Sequence, residues 1–293
     1  MPETRSLPDY ASLIISFRRP DLVGDVLRAL REQTHPPRRV IVVDNAGDLD
    51  TTGLESRGIP GGLTIVRRAD NPGYGAAVNE ARSLLEGSGL EYLQILTHDA
   101  QFDPSLGARL MSSLDSAPSV GATAPLLHWV SRPDAVFSAG GRLTRNGRAL
   151  NTVQPLDPRE PYEVDWVDGA IVLYRIAALN DIDWLDERYF LYFEDVDTSW
   201  RLIQAGWSVT ITPGAVAAQE PGTHPMYLGI RNMTMFGTRH GFAPWRTGAA
   251  VLRRVAEEAV VRVMRRRLPE LGRAWAGWKD GRRLRSGNPE VGG

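Results

Sequence analysis

In the first hundred positions, short apolar blocks alternate with segments of helical period. Ser12-Leu13-Ile14-Ile15-Ser16 reads as a buried strand, and after Arg18-Arg19-Pro20-Asp21 the residues Leu22, Val23, Val26, Leu27 and Leu30 recur at the spacing of one helix face. Pro36-Pro37 ends that helix, and Val40-Ile41-Val42-Val43 predicts a second buried strand closed by Asp44-Asn45-Ala46-Gly47. Leu63-Thr64-Ile65-Val66 predicts a third strand and residues 76–85 a helix, while Tyr92-Leu93-Gln94-Ile95-Leu96 predicts a fourth strand that runs into Thr97-His98-Asp99. Alternation at this spacing predicts an α/β fold with a parallel, doubly wound sheet. Ligands in such sheets bind beyond the carboxyl ends of the strands, where the polar clusters Ser16 to Arg18, Asp44-Asn45 and His98-Asp99 fall.

From about residue 120 to 175 the pattern breaks into short segments with turn signals, among them Ala139-Gly140-Gly141 and Asn146-Gly147, the latter a hairpin signal. Asp165-Trp166-Val167-Asp168-Gly169-Ala170 then leads into an apolar run, Ile171 to Tyr174, that reads as another buried strand. The densest chemistry lies in Tyr189-Phe190-Leu191-Tyr192-Phe193-Glu194-Asp195-Val196-Asp197, where three carboxylates in four residues follow an aromatic run. Burial is hostile to charge, so these carboxylates need a metal, a hydrogen-bonding partner or a proton to move. A catalytic base and an ordinary acidic helix start, continuing through Trp200-Arg201-Leu202, are both compatible with the pattern.

Length and composition narrow the class. The 293 residues, 42% hydrophobic and 24% charged, suffice for one large α/β domain or for a domain of about 230 residues with an appendage. A net charge of -1 argues against a nucleic-acid partner. The absence of cysteine rules out disulfides, thiolate nucleophiles and cysteine-ligated zinc, and fits a reducing compartment. Met1-Pro2-Glu3-Thr4-Arg5 lacks a secretory signature, and no stretch approaches the roughly 18 apolar residues of a membrane span. The expected location is cytoplasmic, with peripheral contact at the inner face of a membrane left open.

The motifs Val43-Asp44-Asn45, Asn71-Pro72-Gly73-Tyr74-Gly75-Ala76-Ala77-Val78-Asn79, Asp99-Ala100, Asp165 to Ala170, Leu185-Asp186-Glu187 through Asp197, Arg201-Leu202, Ala205-Gly206-Trp207 and Arg231-Asn232 occur in one order over residues 11–241. In that order they resemble the family 2 glycosyltransferases of the GT-A fold, and within them the rhamnosyltransferase-like branch. The resemblance implies a GT-A catalytic domain over residues 1–241, with a nucleotide-sugar half at about 11–120 and an acceptor half at about 121–241. Residues 242–293 are then a basic helical extension and a frayed tail. It also implies an inverting transfer of a rhamnose-like or other hexose from a dTDP- or UDP-linked donor. The acceptor hydroxyl would belong to a glycan, a lipid-linked glycan or a natural product.

Carried onto this sequence, the family pattern makes Asp195 the general base, with Glu194 next, and Asp99 the ligand of a divalent cation, Mg²⁺ or Mn²⁺. Asp44 would accept a hydrogen bond from the pyrimidine ring. Ser16, Arg18, Asn71, Gly73, Tyr74, Asn79 and His98 would hold the rest of the nucleotide sugar. Asp168 and Gly169 would line the donor sugar and acceptor, and Arg231 would close over the diphosphate side. Asp197 would cap or orient the helix that follows, and Trp166 reads as a core residue or a platform for a sugar ring. The sequence departs from the pattern at Thr97-His98, where further carboxylates or an Asn-Pro pair are usual, and at Gln219, where the family carries His. Glu220 or His224 would then be candidates to compensate.

Residues 245–285 interleave Leu252, Val255, Val260, Val263, Met264 and Leu268 with arginines, as a basic amphipathic helix does. Such a segment either lies on an anionic membrane or docks its apolar side on the catalytic domain. Two other functions share parts of these features. A sugar-phosphate nucleotidyltransferase would need a glycine-rich basic loop after the first strand, which Ser16-Phe17-Arg18-Arg19-Pro20 does not resemble. A catalytically weakened sugar-nucleotide or glycan-binding homologue would be consistent with the changes at His98 and Gln219.

Overall fold

The computed structural model describes residues 6–52, 54, 62–220, 222 and 224–289. Residues 1–5 and the end of the tail lie outside the described residues, as do Pro221 and Thr223. The chain opens with β1 (Tyr10–Ser16), α1 (Pro20–Arg31), β2 (Arg39–Asp44), β3 (Leu63–Arg67), α2 (Tyr74–Leu85) and β4 (Tyr92–Thr97). Each matches an element predicted from the apolar pattern to within about three residues. β1, β2, β3 and β4 pair in parallel, with Ser16 opposite Asp44 and Ile15 opposite Thr97, so the polar ends of three strands share one edge.

The rest of the sheet is mixed. After β5 (Gln101–Phe102) and α3 (Leu106–Asp115) come β6 (Val120–Trp129), β7 (Arg132–Ser138), β8 (Gly141–Leu143), β9 (Ala149–Asn151), β10 (Tyr162–Glu163) and β11 (Ile171–Arg175). They are followed by α4 (Ile176–Asp181), α5 (Glu194–Gln204), β12 (Ser208–Gln219), α6 (Met226–Arg239), α7 (Pro244–Met264) and α8 (Leu271–Arg282). The main sheet runs β10-β12-β6-β11-β4-β1-β2-β3. β11 inserts antiparallel between β4 and β6, so the sheet is mostly parallel, as expected of the GT-A fold that the motif order implied. Asn146-Gly147 turns the β8–β9 hairpin as predicted.

The buried strand β6 escaped the apolar pattern because Gly121, Ala122, Thr123, Ala124 and Pro125 give it neither bulk nor β-branched enrichment. Pro125 lacks an amide hydrogen and sits where the β6–β12 register shifts, between Thr212 and Val216. Alternate residues of β1 feed two cores: Leu13 and Ile15 pack with α2, α4 and α5, whereas Ile14 packs with α1 and α3. Burial on both faces explains the continuous apolar runs that marked these strands.

Candidate active site

The site grows from the strand ends. Past β2, the fully buried Asp44 accepts backbone hydrogen bonds from Ala46 and Gly47 at Oδ1 (3.2 and 2.9 Å) and from Leu49 at Oδ2 (3.0 Å). Asp44 therefore builds the loop after β2, and this geometry does not support the direct contact with a base expected of it. Beside it, Asn45 Nδ2 donates to the Gly73 carbonyl (3.1 Å). Gly73 has φ of 99°, and a Cβ there would collide with the Phe190 carbonyl, so the Asn71–Tyr74 loop can approach the acceptor half only with glycine at this point. Asn71, itself at φ 43°, shapes the same turn. Ser16 Oγ and Asn45 Oδ1 are buried polar atoms without a hydrogen-bond partner among the described residues, as expected where a ligand completes a site. Arg18 is exposed with its guanidinium 4.9 Å from the Phe17 ring centre.

Beyond β4, Asp99 Oδ1 accepts a hydrogen bond from Gln219 Nε2 (3.2 Å), which also reaches Thr97 Oγ1 (3.0 Å). Gln219 thus turns its amide nitrogen toward the carboxylate. Glu220 is engaged with Ser131 (2.9 and 3.0 Å), and His224 stacks on Tyr192 at 4.3 Å, so neither compensates at Asp99. His98 is tied back to the Ile15 carbonyl through its amide (3.1 Å) and Nδ1 (3.3 Å). Asp168 lies within electrostatic reach of Asp99; burial raises its pKa and the Asp99 charge adds to the rise. No group of three or more His, Asp or Glu arranged to cage a metal occurs among the described residues. Two carboxylates within electrostatic reach of each other do fit a hard divalent cation that takes its remaining ligands from water and phosphate oxygens.

A cavity of about 580 Å³ joins these strand ends to the acceptor half, lined by Thr97, Asp168, Gly169, Glu194, Asp195 and Gln219 among others. Tyr74 closes one wall by donating its hydroxyl to the Gly169 carbonyl. Asp195 accepts from the Val196 amide (2.8 Å) and the Gly169 amide (3.4 Å). Burial, followed by the neighbouring Asp168 charge, pushes its pKa up to about 7. Glu194 is raised well above the usual carboxylate range by burial and by Asp195, and its Oε2 has no partner among the described residues. A carboxyl poised near neutrality in a cavity has the protonation behaviour required of a general base.

What aims these carboxylates is a strained turn. Phe190, Tyr192 and Phe193 all have positive φ (66°, 70° and 74°), a rare conformation for bulky side chains that persists only when its surroundings hold it. The buried Asn232 Nδ2 donates to the carbonyls of Tyr189 (3.1 Å), Leu191 (2.8 Å) and Tyr192 (2.7 Å). Arg231 donates to the Tyr189 carbonyl (2.6 Å) and the Gly287 carbonyl (2.8 Å). Arg231 is therefore a buried clamp on the turn and the C-terminal segment, a correction to its expected place over a diphosphate. Asn79 is corrected likewise: it exchanges hydrogen bonds with the Leu185 backbone (2.9 and 3.1 Å) and donates to Glu187 Oε1 (2.8 Å), tying α2 to the acceptor half. Asp197 is no cap. Fully buried, it accepts from Tyr189 Oη (2.8 Å), His240 Nε2 (2.7 Å) and Arg201 Nε (2.6 Å). Burial opposes its charge, but His240 and Arg201 together hold its pKa below the ordinary value.

Trp166 is buried in a cluster with Tyr189, Val196 and Phe236 while one side reaches the cavity. The sequence reading missed Arg148, Met233 and Arg254, which line the acceptor end. Nothing local marks them, because they converge from the β8–β9 hairpin, α6 and α7.

A strand-end nucleotide pocket joined to a carboxylate turn defines a sugar-transfer enzyme of the GT-A type, and the comparisons agree. Residues 8–239 match the model of "Glycosyltransferase like family 2", so the chain belongs to that family and is a glycosyltransferase with a nucleotide-sugar donor. It is 28% identical over 215 residues to the N-acetylglucosaminyl-diphospho-decaprenol L-rhamnosyltransferase of Mycobacterium tuberculosis, covering 64% of this chain and 68% of that protein. Among solved structures, GalNAc-T7 with UDP, GalNAc and Mn²⁺ superposes with a TM-score of 0.59 at 13% identity, covering 81% of this chain. The chain spans 51% of that structure's length. The mannosyltransferase PcManGT from Pyrobaculum calidifontis, in complex with GDP-Man and Mn²⁺, gives a TM-score of 0.56 at 14% identity over 96% of this chain and 86% of its own. These likenesses establish the GT-A fold.

Proposed function

We propose that this enzyme transfers L-rhamnose, with inversion, from a dTDP-linked donor to a hydroxyl of a lipid-diphosphate-linked glycan at a membrane surface, with a UDP-hexose the next donor to test. The observation that carries the reading is Asp195, with a pKa near 7, at the start of α5 behind a clamped turn and beside Asp168 and Gly169. The acceptor oxygen attacks the anomeric carbon and its proton passes to an Asp195 carboxylate oxygen. The bond from that carbon to the diphosphate breaks, and the electron pair leaves with the nucleotide. The rhamnosyl donor and the polyprenyl diphosphate acceptor are supported by the name of the mycobacterial relative.

Asp99 and Asp168 are the residues that would hold Mg²⁺ or Mn²⁺, whose chemistry there is to neutralise charge on the diphosphate. Ser16 and the Asn71–Tyr74 loop line the nucleotide side. Residues 1–241 form the catalytic unit in this reading and 242–293 its extension, with the enzyme at the cytoplasmic face of the membrane. No helix among the described residues is long and apolar enough to span a bilayer. The test is transfer by purified protein from dTDP-rhamnose to a short-chain prenyl-diphosphate GlcNAc, against UDP-hexoses. Turnover with none of these donors overturns the reading.

A further inference from the structure

α7 has two opposite faces, only one of which packs against the rest of the protein among the described residues. Its inner line holds the buried Thr247, Ala250 and Val251, the last two packed in a small cluster with Met226, Ile230 and Met233 of α6. On the other side Leu252 is 73% exposed, Val260 59%, Val263 61% and Met264 79%, and the turn that follows carries Leu268 at 88%. Trp245, the second residue of α7, and Trp275 on α8 are also exposed. The spacing 245, 252, 260, 263 and 264 keeps these side chains on one stripe of a 3.6-residue helix. So much exposed apolar surface on one element marks a contact that water does not provide.

Charge identifies the partner. Residues 244–285 contain twelve Lys and Arg against four Asp and Glu, although the whole chain has a net charge of -1. The acidic residues are largely spoken for: Glu257 pairs with Arg148 and Arg253, Glu258 and Glu270 with Arg262. Arg265, Arg266 and Arg267, between Met264 and Leu268, have no ion pair among the described residues. We propose that the outer stripe of α7, with the 265–268 turn, is an in-plane anchor that docks the enzyme on an anionic lipid bilayer. Apolar side chains enter the boundary between headgroups and acyl chains while the arginines stay at headgroup level.

The anchor also sets orientation. Arg254, two residues from Leu252 and without an ion pair among the described residues, lines the cavity close to His224. α7 therefore borders both the bilayer and the acceptor end of the cavity, and docking brings that mouth to the depth where a lipid diphosphate lies. This assignment deepens, and rests on, the proposed transfer to a lipid-linked acceptor.

The test is co-sedimentation of the full chain with phosphatidylcholine vesicles with or without 30 mol% phosphatidylglycerol. Binding is expected to the anionic vesicles, and to fall on the order of 10-fold or more in Leu252→Glu/Leu268→Glu and in Arg265→Glu/Arg266→Glu/Arg267→Glu. Nucleotide-induced thermal shift of both variants should match the wild type, showing intact folding and donor binding. Equal binding to both vesicle types, no binding to either, or concentration-dependent dimers abolished by the same substitutions would each overturn the anchor. Transfer to a water-soluble acceptor without vesicles is read separately: its presence upholds the transferase reading whatever the vesicles show.

Discussion

The two ends of the cavity are built by different means. At the end proposed to take the nucleotide, the placement of residues follows directly from β1, β2 and β4, whose parallel register alone sets Ser16, Asp44 and Thr97 along one edge. At the end proposed to take the acceptor, Asp195 is the second residue of α5, directly after a turn with three positive-φ aromatic residues that Asn232 holds from a helix some forty positions away. The first end is a consequence of topology, with Gly73 the point where its loop admits no side chain. The second stores strain that distant hydrogen bonds must continuously oppose. Substitutions at the acceptor end should therefore cost rate and stability together, and those at the nucleotide end chiefly donor affinity.

The largest effect is expected at the base. Asp195→Asn should lower the transfer rate by roughly 10²–10⁴-fold while leaving donor affinity nearly unchanged, since general-base catalysis is worth about that much. Single-turnover kinetics alongside nucleotide titration checks this, and wild-type turnover would reject the assignment. Asn232→Leu separates strain from chemistry. Freeing three carbonyls should cost about 1–3 kcal/mol in denaturant unfolding and reduce kcat with little change in nucleotide affinity. An unchanged kcat in a destabilised protein would show that Asp195 does not depend on the clamp.

The pH profile sharpens the same end. A base acts only when deprotonated, and burial with Asp168 raises Asp195 to about 7, so kcat/KM should rise about tenfold per pH unit below 7 and level off above it. Asp168→Asn removes the neighbouring negative charge and should move that limb to lower pH. A limb that stays in place would assign it to another group. The smallest effect belongs to the nucleotide end. Asp99→Ala should weaken donor binding in Mn²⁺ by several-fold, on the scale of one lost carboxylate ligand, and abolish the metal-dependent increment. Equal wild-type affinity with and without a chelator would show that Gln219 has made the site metal-independent.

The difference between the ends also governs what could be read in advance. Strands β1, β2 and β4 announced themselves because burial on both faces demands continuous apolar runs, and the order of motifs from Asp44 to Asn232 sufficed to identify the family. Local sequence could not reveal that Asp44 is taken up by three amides of its own loop, or that Arg231 and Asn79 serve the scaffold. A carboxylate, guanidinium or amide carries the same hydrogen-bonding capacity whether it meets a ligand or a distant carbonyl, and only the folded chain chooses.

The C-terminal helices show the same limit. Both α7 and α8 fall in the arginine-rich segment 245–285, for which composition alone left docking and membrane binding open. In α8, Gly277 and Gly281 lie so close to the backbone of Tyr227 and Arg231 that a Cβ would not fit, and Asp280 receives the Tyr227 hydroxyl at 2.9 Å. α8 is therefore seated on α6, while α7 keeps a bare apolar stripe. Sequence by itself determined the strands, the helical periods, the family and the carboxylate cluster, because each follows from local pattern or motif order. Tertiary structure alone decided which polar groups face the cavity and which helix face remains uncovered, because those outcomes depend on contacts between residues far apart in the chain.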